Sequence, residues 1–265
     1  MKTNTVSLMR FIGIIPSRYE SSRFPGKPLA VIGGKSMIQR VYEQACKALD
    51  IVYVATDDQR IAEEIKRFGG HFVLTSPHHK SGTDRLAEAM QLIRKELNIR
   101  FEGVVNIQGD EPFIEPRQIE EIMECFTHRE TEIATLIKKI TDSDDIFNPN
   151  KPKVIFDHQM KAIYFSRSPI PYIRHAEKEQ WIKSFAFYRH IGMYAYRTDV
   201  LSKITRLKQS PLELAESLEQ NRWIENGYTI RVSKTAFDSI GIDTPEDLEK
   251  ASALLKKNKP HPDGD

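Results

Sequence analysis

The sequence has only two cysteines and no long hydrophobic run, and each absence excludes a class of protein. Cys46 and Cys125 lack the close spacing of a zinc site or a redox pair. We expect both to be buried, reduced thiols, as in a reducing compartment. The apolar run at residues 11–15 is too short to cross a bilayer, and residues 1–10 lack the apolar stretch of a signal peptide. The pattern predicts a cytoplasmic protein with no membrane partner.

An excess of charge of one sign is also missing. The chain of 265 residues carries 39 Lys and Arg against 37 Asp and Glu, a formal net charge of +2. This balance gives no reason to expect nucleic acid or an anionic membrane as a partner. An anionic small molecule would therefore have to meet a local group of basic side chains.

Two common nucleotide-binding motifs are missing as well. Residues 33–36 look like the end of a P-loop, but Leu29 stands where that motif requires its first glycine. We therefore interpret Ser36 as a helix cap. The GxGxxG pattern of dinucleotide-binding folds does not follow the first predicted strand.

What the first half does contain is an alternation of buried strands with amphipathic helices. Strands are predicted at residues 11–15, 51–55, 71–74 and 104–107, and helices at 36–49, from 57 or 58 to about 68, at 83–97 and from about 116. A capping box of Ser36 and Gln39 supports the first of these helices, and Gly69 closes the second. Such alternation predicts an α/β fold with a mostly parallel, Rossmann-like sheet and helices on both faces.

The second half is richer in strands. A hairpin is predicted from residues 153–156 and 161–165, followed by a strand at 190–196, a helix at 211–225, a strand at 228–232 and a closing helix at 244–257. Residues 259–265 are expected to be frayed. We predict one domain over residues 1–265, with a smaller strand-rich subdomain at about 150–200.

The loop after the first strand concentrates cationic side chains. Arg18, Arg23 and Lys27 follow that strand closely, together with three serines and the turn residue Gly26. Ligands of open α/β sheets bind at the carboxyl ends of the strands. Arginine forks and a lysine ammonium suit the oxygens of a triphosphate. Composition alone favours neither a phosphate site nor an ordinary solvated basic loop.

Residues 14–29 closely resemble the first signature of the CMP-Kdo synthetases, the 3-deoxy-manno-octulosonate cytidylyltransferases. Six further blocks resemble the same family in the same order: residues 81–85, 106–112, 147–150, 164–167, 189–192 and 241–248. The resemblance spans roughly residues 11–257. One departure is Asp84, where the family more often has glutamate, so we assign Asp84 no direct role.

The resemblance implies a magnesium-dependent nucleotidyltransferase that joins CMP from CTP to the acidic sugar 3-deoxy-D-manno-octulosonate (Kdo), for lipopolysaccharide synthesis. Arg18, Lys27 and Asp110 would be catalytic, and the metal ligands for Mg²⁺ would be Asp110 and Asp243. The implied CTP-binding residues are Ser17, Arg18, Ser22, Arg23, Lys27, Ser81, Gly82 and Thr83. The implied sugar-binding residues are Gln108, Arg167, His190, Tyr194, Glu219 and Gln220.

Several of these residues have ordinary structural alternatives. Asp243 precedes a helix start, where a carboxylate is favoured by the helix dipole alone. Tyr194 alternates with apolar neighbours along a predicted strand and could belong to the core. Glu219 and Gln220 could face solvent, and a lone histidine such as His190 is more often structural.

The sequence is also compatible with two other functions. One is a cytidylyltransferase for a different acidic sugar, such as a nonulosonic acid, although those enzymes have glycine and lysine where this chain has Ser21, Ser22 and Arg23. The other is a nucleotide-binding relative without turnover. The family resemblance also implies a homodimer formed through residues 150–200.

Overall fold

The computed structural model describes residues 9–21, 23–79, 81–238 and 241–257. Its contacts divide the chain into two compact units. Unit 1 comprises Met1–Ile12, Asn98–Asn106 and Arg117–Asp238, and unit 2 comprises Gly13–Leu97, Ile107–Pro116 and Ser239–Asp265. The predicted subdomain at 150–200 lies inside unit 1.

Unit 2 is built on parallel strands that alternate with helices. Its elements are β1 (Phe11–Ser17, from Gly13 onward), β2 (Val31–Ile32), β3 (Lys35–Ser36), α1 (Met37–Ala45), β4 (Val52–Thr56), α2 (Gln59–Arg67), β5 (Phe72–Leu74), α3 (Gly82–Leu97) and α10 (Pro245–Lys257). Strand β1 pairs in parallel with β4, and β4 with β5, so their carboxyl ends share one edge. β1 and β4 are buried nearly throughout, because helices must cover a parallel sheet.

Unit 1 contains a mixed sheet. Its elements are β6 (Gly103–Asn106), α4 (Pro116–Glu124), β7 (Ile133–Lys139), α5 (Ser143–Phe147), β8 (Lys153–Phe156), β9 (Ala162–Ser166), α6 (Trp181–Ser184), β10 (Tyr188–Arg197), α7 (Thr198–Ile204), α8 (Pro211–Glu216), α9 (Glu219–Glu225) and β11 (Ile230–Lys234). Strand β10 runs antiparallel to β6 and β7, while β11 is parallel to β7. Strands β8 and β9 form the predicted hairpin.

The α/β class and most of the predicted elements are confirmed. Ser36 caps α1 by accepting from the Gln39 amide, but the Gln39 side chain donates to Glu43 instead of closing the capping box. Asp58 caps α2, and Gly69 ends it with a positive φ of 76°. The prediction of buried thiols is confirmed for Cys125 and wrong for Cys46, which is exposed just beyond α1.

One predicted helix is wrong. The segment 211–225 forms two short helices, α8 and α9, because Ser217 adopts a left-handed conformation with φ 51°. The side chain of Glu216 faces β9, where it accepts hydrogen bonds from the hydroxyls of Tyr164 and Ser166 and from the backbone amide of Arg167. The break between the helices lies at this anchored position.

The predicted frayed tail, residues 259–265, lies outside the described residues. Within the part of the chain that the structure describes, no helix is long and apolar enough to cross a membrane.

Candidate active site

A polar cavity of about 340 Å³ opens in unit 2 at the carboxyl end of β1. We call it the charged pocket. It is lined by Pro16, Ser17, Arg18, Glu20, Ser21, Arg23, Lys27, Pro28, Gln108, Gly109, Asp110 and Asp243. The structure therefore brings together the predicted catalytic residues, both predicted metal ligands and part of the predicted CTP set.

The loop after β1 is folded back by a tight turn at Gly26. The Gly26 amide donates to the Tyr19 carbonyl at 2.8 Å, and its φ of 72° lies in the left-handed region. A Cβ at this position would also lie 3.0 Å from atoms of the Tyr19 ring, so only glycine fits without adjustment. The turn leads directly into a short 3-10 helix, Lys27–Leu29, which positions Lys27 at the pocket.

Lys27 connects the two predicted metal ligands. Its Nζ lies 2.7 Å from Oδ2 of Asp110 and 3.1 Å from Oδ1 of Asp243. The Lys27 side chain is 15% exposed, against 33% for Asp110 and 45% for Asp243. Two carboxylates from distant parts of the sequence thus face the same point, and a cation already lies there.

The backbone holds these two aspartates together. The Ile242 amide donates to the Asp110 carbonyl at 2.9 Å, and Ile242 is fully buried against Met37 and Ala251. The Asp247 carboxylate accepts from the backbone amides of Asp243 and Thr244 at the start of α10. The carboxylates therefore converge because two loops are fixed to each other, and not only because Lys27 attracts them.

The remaining loop residues extend the positive side of the pocket. Arg18 is exposed on the pocket wall. Arg23 Nη2 lies 3.2 Å from Oδ1 of Asp243, with 64% of its side chain exposed. The Ser17 hydroxyl is buried and has no hydrogen-bond partner among the described residues. It can therefore form a hydrogen bond with a ligand. Ser22, also predicted here, lies outside the described residues.

The block at 81–83 forms the start of α3. The Ser81 hydroxyl accepts from the Asp84 amide, as a helix cap does. Gly82 is exposed, and a Cβ added there would lie 3.9 Å from Pro16 of the pocket wall. Thr83 is buried. The block therefore lies beside the charged pocket without lining it.

Arg85 fixes that helix start to the sheet edge. Its guanidinium donates to Asp57 after β4 and to Thr75 after β5, both at 2.6 Å, and the arginine is buried. Arg85 is not among the predicted site residues. A buried arginine beside two strand ends is visible only once the strands are placed.

The predicted sugar-binding residues divide between the units. Gln108 lines the charged pocket. The others belong to unit 1, where His190 and Tyr194 lie on β10, Arg167 follows β9, and Glu219 and Gln220 begin α9.

Unit 1 contains a set of uncharged polar side chains on β7, β10 and α9. We call it the neutral cluster, and it consists of Thr135, His190, Tyr194, Gln220 and Asn221. The His190 ring meets Phe165 and Tyr194, each at 5.2 Å between centroids, and the Asn221 amide donates to the Phe165 carbonyl at 3.0 Å. Three buried atoms of the cluster, Oη of Tyr194, Nε2 of Gln220 and Oδ1 of Asn221, have no hydrogen-bond partner among the described residues. Buried polar atoms of this kind indicate a bound water or a ligand.

Burial keeps the cluster uncharged. Desolvation, with a smaller contribution from the Arg189 charge, lowers the pKa of His190 from 6.5 to about 3. Desolvation also raises the pKa of Tyr194 well above 10. The imidazole and the phenol are therefore both neutral at physiological pH.

The other two predicted sugar ligands have structural contacts. The Arg167 guanidinium donates to the backbone carbonyls of Glu216, Pro149 and Ser217, at 2.6, 2.9 and 3.3 Å. Glu219 lies 3.8 Å from Arg222. Arg167 thus clamps the break between α8 and α9, which sequence reasoning did not anticipate.

Comparison with known proteins agrees with this geometry. Residues 12–235 match the family model for cytidylyltransferases. A 3-deoxy-manno-octulosonate cytidylyltransferase of Parabacteroides distasonis is 58% identical over 94% of this chain and 99% of its own length. The chain belongs to this cytidylyltransferase family.

Other members of the family are similarly close. The 3-deoxy-manno-octulosonate cytidylyltransferase of Bacteroides thetaiotaomicron is 56% identical over 94% of this chain and 99% of that protein. A solved structure of CMP:2-keto-3-deoxy-manno-octonic acid synthetase complexed with CTP has a TM-score of 0.86 and 40% identity, covering 94% of this chain and 100% of that one. That degree of identity supports comparison of sites as well as of folds.

The donor set of the charged pocket fits a magnesium ion held partly by substrate. Within the described residues, no group of three or more His, Cys, Asp or Glu could hold a metal ion. Magnesium usually needs only one or two carboxylates, with phosphate oxygens and waters completing its shell. Asp110 and Asp243 would suffice for such an ion, and the ammonium of Lys27 lies within 3.1 Å of an oxygen of each.

Proposed function

We propose that this protein transfers CMP from CTP to Kdo, with release of pyrophosphate. The observation that carries the proposal is the convergence of Lys27, Asp110 and Asp243 in one cavity that Arg18 and Arg23 also line. The family to which the chain belongs supplies the identity of the nucleotide and of the sugar.

At the α-phosphorus the reaction forms one P–O bond and breaks another. The anomeric oxygen of Kdo attacks the α-phosphorus of CTP, its proton leaves to solvent, and the bond from the α-phosphorus to the pyrophosphate oxygen breaks. Such a transfer depends on alignment and on neutralising charge that spreads over the phosphoryl oxygens. Arg18, Arg23 and Lys27 provide cationic donors for those oxygens, and the Ser17 hydroxyl provides a neutral one.

The protein's dependence on magnesium is part of the same proposal. Asp110 and Asp243 would hold the ion, which when bound neutralises charge on the phosphates and polarises them. Lys27 contacts both carboxylates in the structure, and its ammonium would instead be available to the phosphate oxygens of CTP when those carboxylates hold the ion. Lys27 would therefore pair with carboxylates in one state and with CTP in the other.

The sugar is recognised by a different kind of chemistry. Kdo carries one carboxylate and many hydroxyls, and the neutral cluster provides hydrogen-bonding groups that carry no charge. We assign His190, Tyr194 and Gln220 to the hydroxyl groups, together with Gln108. Arg167 and Glu219 remain predicted sugar ligands, and Asn221 joins the set because its buried Oδ1 lacks a partner among the described residues. A homodimer and a cytoplasmic location complete the proposal.

An assay of pyrophosphate release tests the function directly. The purified protein is incubated with CTP, magnesium and a panel of acidic sugars. Release only when Kdo is present is the expected result. Release with a nonulosonic acid but not with Kdo would establish the other sugar class, and binding of CTP without release for any sugar would identify a non-catalytic relative.

A further inference from the structure

A buried threonine has an unusual number of hydrogen-bond neighbours in the neutral cluster. Thr135 on β7 is fully buried, and its hydroxyl lies 2.7 Å from the Met193 carbonyl, 2.9 Å from Nε2 of His190 and 3.2 Å from the Ile191 carbonyl. Both carbonyls can only accept, and a hydroxyl has one proton and two lone pairs. The proton of Thr135 can therefore serve one of these neighbours well.

The strand irregularity decides which neighbour receives that proton. In the β10–β7 ladder, Ile191 pairs with Leu136 and Tyr194 pairs with Thr135. The register therefore shifts in between, and Met193 has no partner residue in the regular ladder. Buried carbonyls displaced from a ladder need a donor from elsewhere. The Met193 carbonyl is also the nearest of the three partners. Thr135 therefore donates to a carbonyl, and one of its two lone pairs accepts from Nε2 of His190.

The state of the imidazole follows from this assignment. A neutral histidine carries one N–H, and the burial described above keeps His190 neutral. If Nε2 donates to Thr135, Nδ1 carries a lone pair and can only accept. Among the described residues, no side chain donates to Nδ1, so this atom is left for a ligand.

We propose that Thr135 is a positioning residue that fixes the proton of His190 on Nε2, so that Nδ1 accepts a hydrogen bond from a sugar hydroxyl. This inference rests on the proposed function, since it takes the sugar as the ligand of the neutral cluster. It also assigns the contact: a neutral acceptor binds a hydroxyl and repels a carboxylate, so His190 does not bind the acid group of the substrate.

The first test measures the proton position without a mutation. In a ¹⁵N-histidine-labelled protein, long-range ¹H–¹⁵N spectra distinguish the two neutral tautomers, and loss of one signal in His190→Gln assigns the residue. We expect the proton on Nε2 at neutral pH. A proton on Nδ1, or a charged ring, overturns the proposal at once.

The second test uses Thr135→Val, which keeps the shape and removes the hydroxyl, and Thr135→Ser, which restores it. Thr135→Val should shift the tautomer and raise the KM for Kdo by about 3–10-fold, the equivalent of one hydrogen bond, with the KM for CTP unchanged. Thr135→Ser should recover both the tautomer and the KM. Unchanged values in Thr135→Val overturn the proposal, and so does an equal rise in both KM values, which marks a purely structural role.

A third measurement distinguishes the role of His190 as a sugar ligand from the control of its tautomer by Thr135. If His190→Gln leaves the KM for Kdo unchanged, His190 is not a sugar ligand, and that part of the proposed function fails. The tautomer spectra still show whether Thr135 controls the ring. If Thr135→Val does not fold, the wild-type spectrum and the Thr135→Ser kinetics decide the matter.

Discussion

The charged pocket and the neutral cluster handle polarity in opposite ways. In the pocket, Lys27, Asp110 and Asp243 contact one another as ion pairs and remain between 15% and 45% exposed. In the cluster, His190 and Tyr194 are held uncharged by burial, and hydrogen bonds replace ion pairs.

The difference has a physical reason. Complete burial of a charge costs several kcal/mol, whereas a half-exposed ion pair can exchange partners at little cost. A site that must trade a carboxylate for a phosphate benefits from exposure. A site that must distinguish hydroxyl positions benefits from fixed, buried donors and acceptors. Substitutions in the charged pocket should therefore affect ionic interactions, and substitutions in unit 1 should affect hydrogen bonds and stability.

The largest effect should come from Asp110→Asn. Loss of one carboxylate would weaken the hold on the magnesium ion that neutralises the phosphoryl oxygens, and we expect turnover to fall on the order of 10²–10³-fold. Pyrophosphate release with saturating CTP and Kdo measures this. Asp58→Asn is the matched control, because asparagine caps a helix as well as aspartate does. A folded Asp110→Asn with normal turnover at limiting magnesium would refute the assignment.

Lys27→Met should have two opposite effects. Without its ammonium the KM for CTP should rise roughly 10–100-fold, as for a lost charge-assisted hydrogen bond. Binding of Mn²⁺ in the absence of CTP should become tighter, because the two carboxylates lose a competing cation. Electron paramagnetic resonance of free Mn²⁺ measures the second effect. Lys35→Met, at an exposed pair with Glu43, should change neither.

Arg167→Lys tests whether this side chain is a clamp. A lysine cannot reach three carbonyls at once, so the free energy of unfolding should fall by about 1–3 kcal/mol. Urea denaturation gives the value, with the exposed Arg206→Lys as control. An unchanged stability with a raised KM for Kdo would instead make Arg167 a sugar ligand only.

The smallest effect concerns pH. The folded pKa of His190, about 3, is below its unfolded value, so the unfolded state binds the proton more readily between these values. This residue therefore lowers stability as the pH falls through 6.5, and has no such effect above it. Between about pH 7.5 and about pH 5 the wild type should lose free energy of unfolding that His190→Gln does not lose. Any stability advantage of the wild type over this variant should therefore shrink as the pH falls. A constant difference would show that His190 does not titrate in this way.

Much of the fold could be predicted because local rules determine it. The buried runs of β1 and β4 and the caps Ser36 and Asp58 depend on neighbours within a few residues. The left-handed Ser217 could not be predicted, since serine has no special preference for that conformation. Strand β7 was missed as well, since no element was predicted between the helix from about residue 116 and the hairpin that begins at residue 153.

Some contacts of the site could likewise be predicted from the sequence, and others depend on how distant segments pack. The approach of Arg18 and Lys27 to Asp110 follows from parallel strands that end at one edge, aided by the family resemblance. The contact of one lysine with both carboxylates does not follow, because it depends on the backbone bond between Ile242 and Asp110. Thr135 and Asn221 gave no signal, since a threonine in a strand and an asparagine in a helix are ordinary until the packing is known.

That backbone bond also has a consequence for biosynthesis. Lys27 and Asp243 are separated by 216 positions, and unit 2 receives its last segment only after all of unit 1 has been made. Because a ribosome delivers the amino-terminal part first, β1 and its basic loop exist well before their acidic counterpart. A nascent chain that stops short of Ile242 contains almost every helix and strand described here, yet it has one carboxylate where the finished enzyme has two.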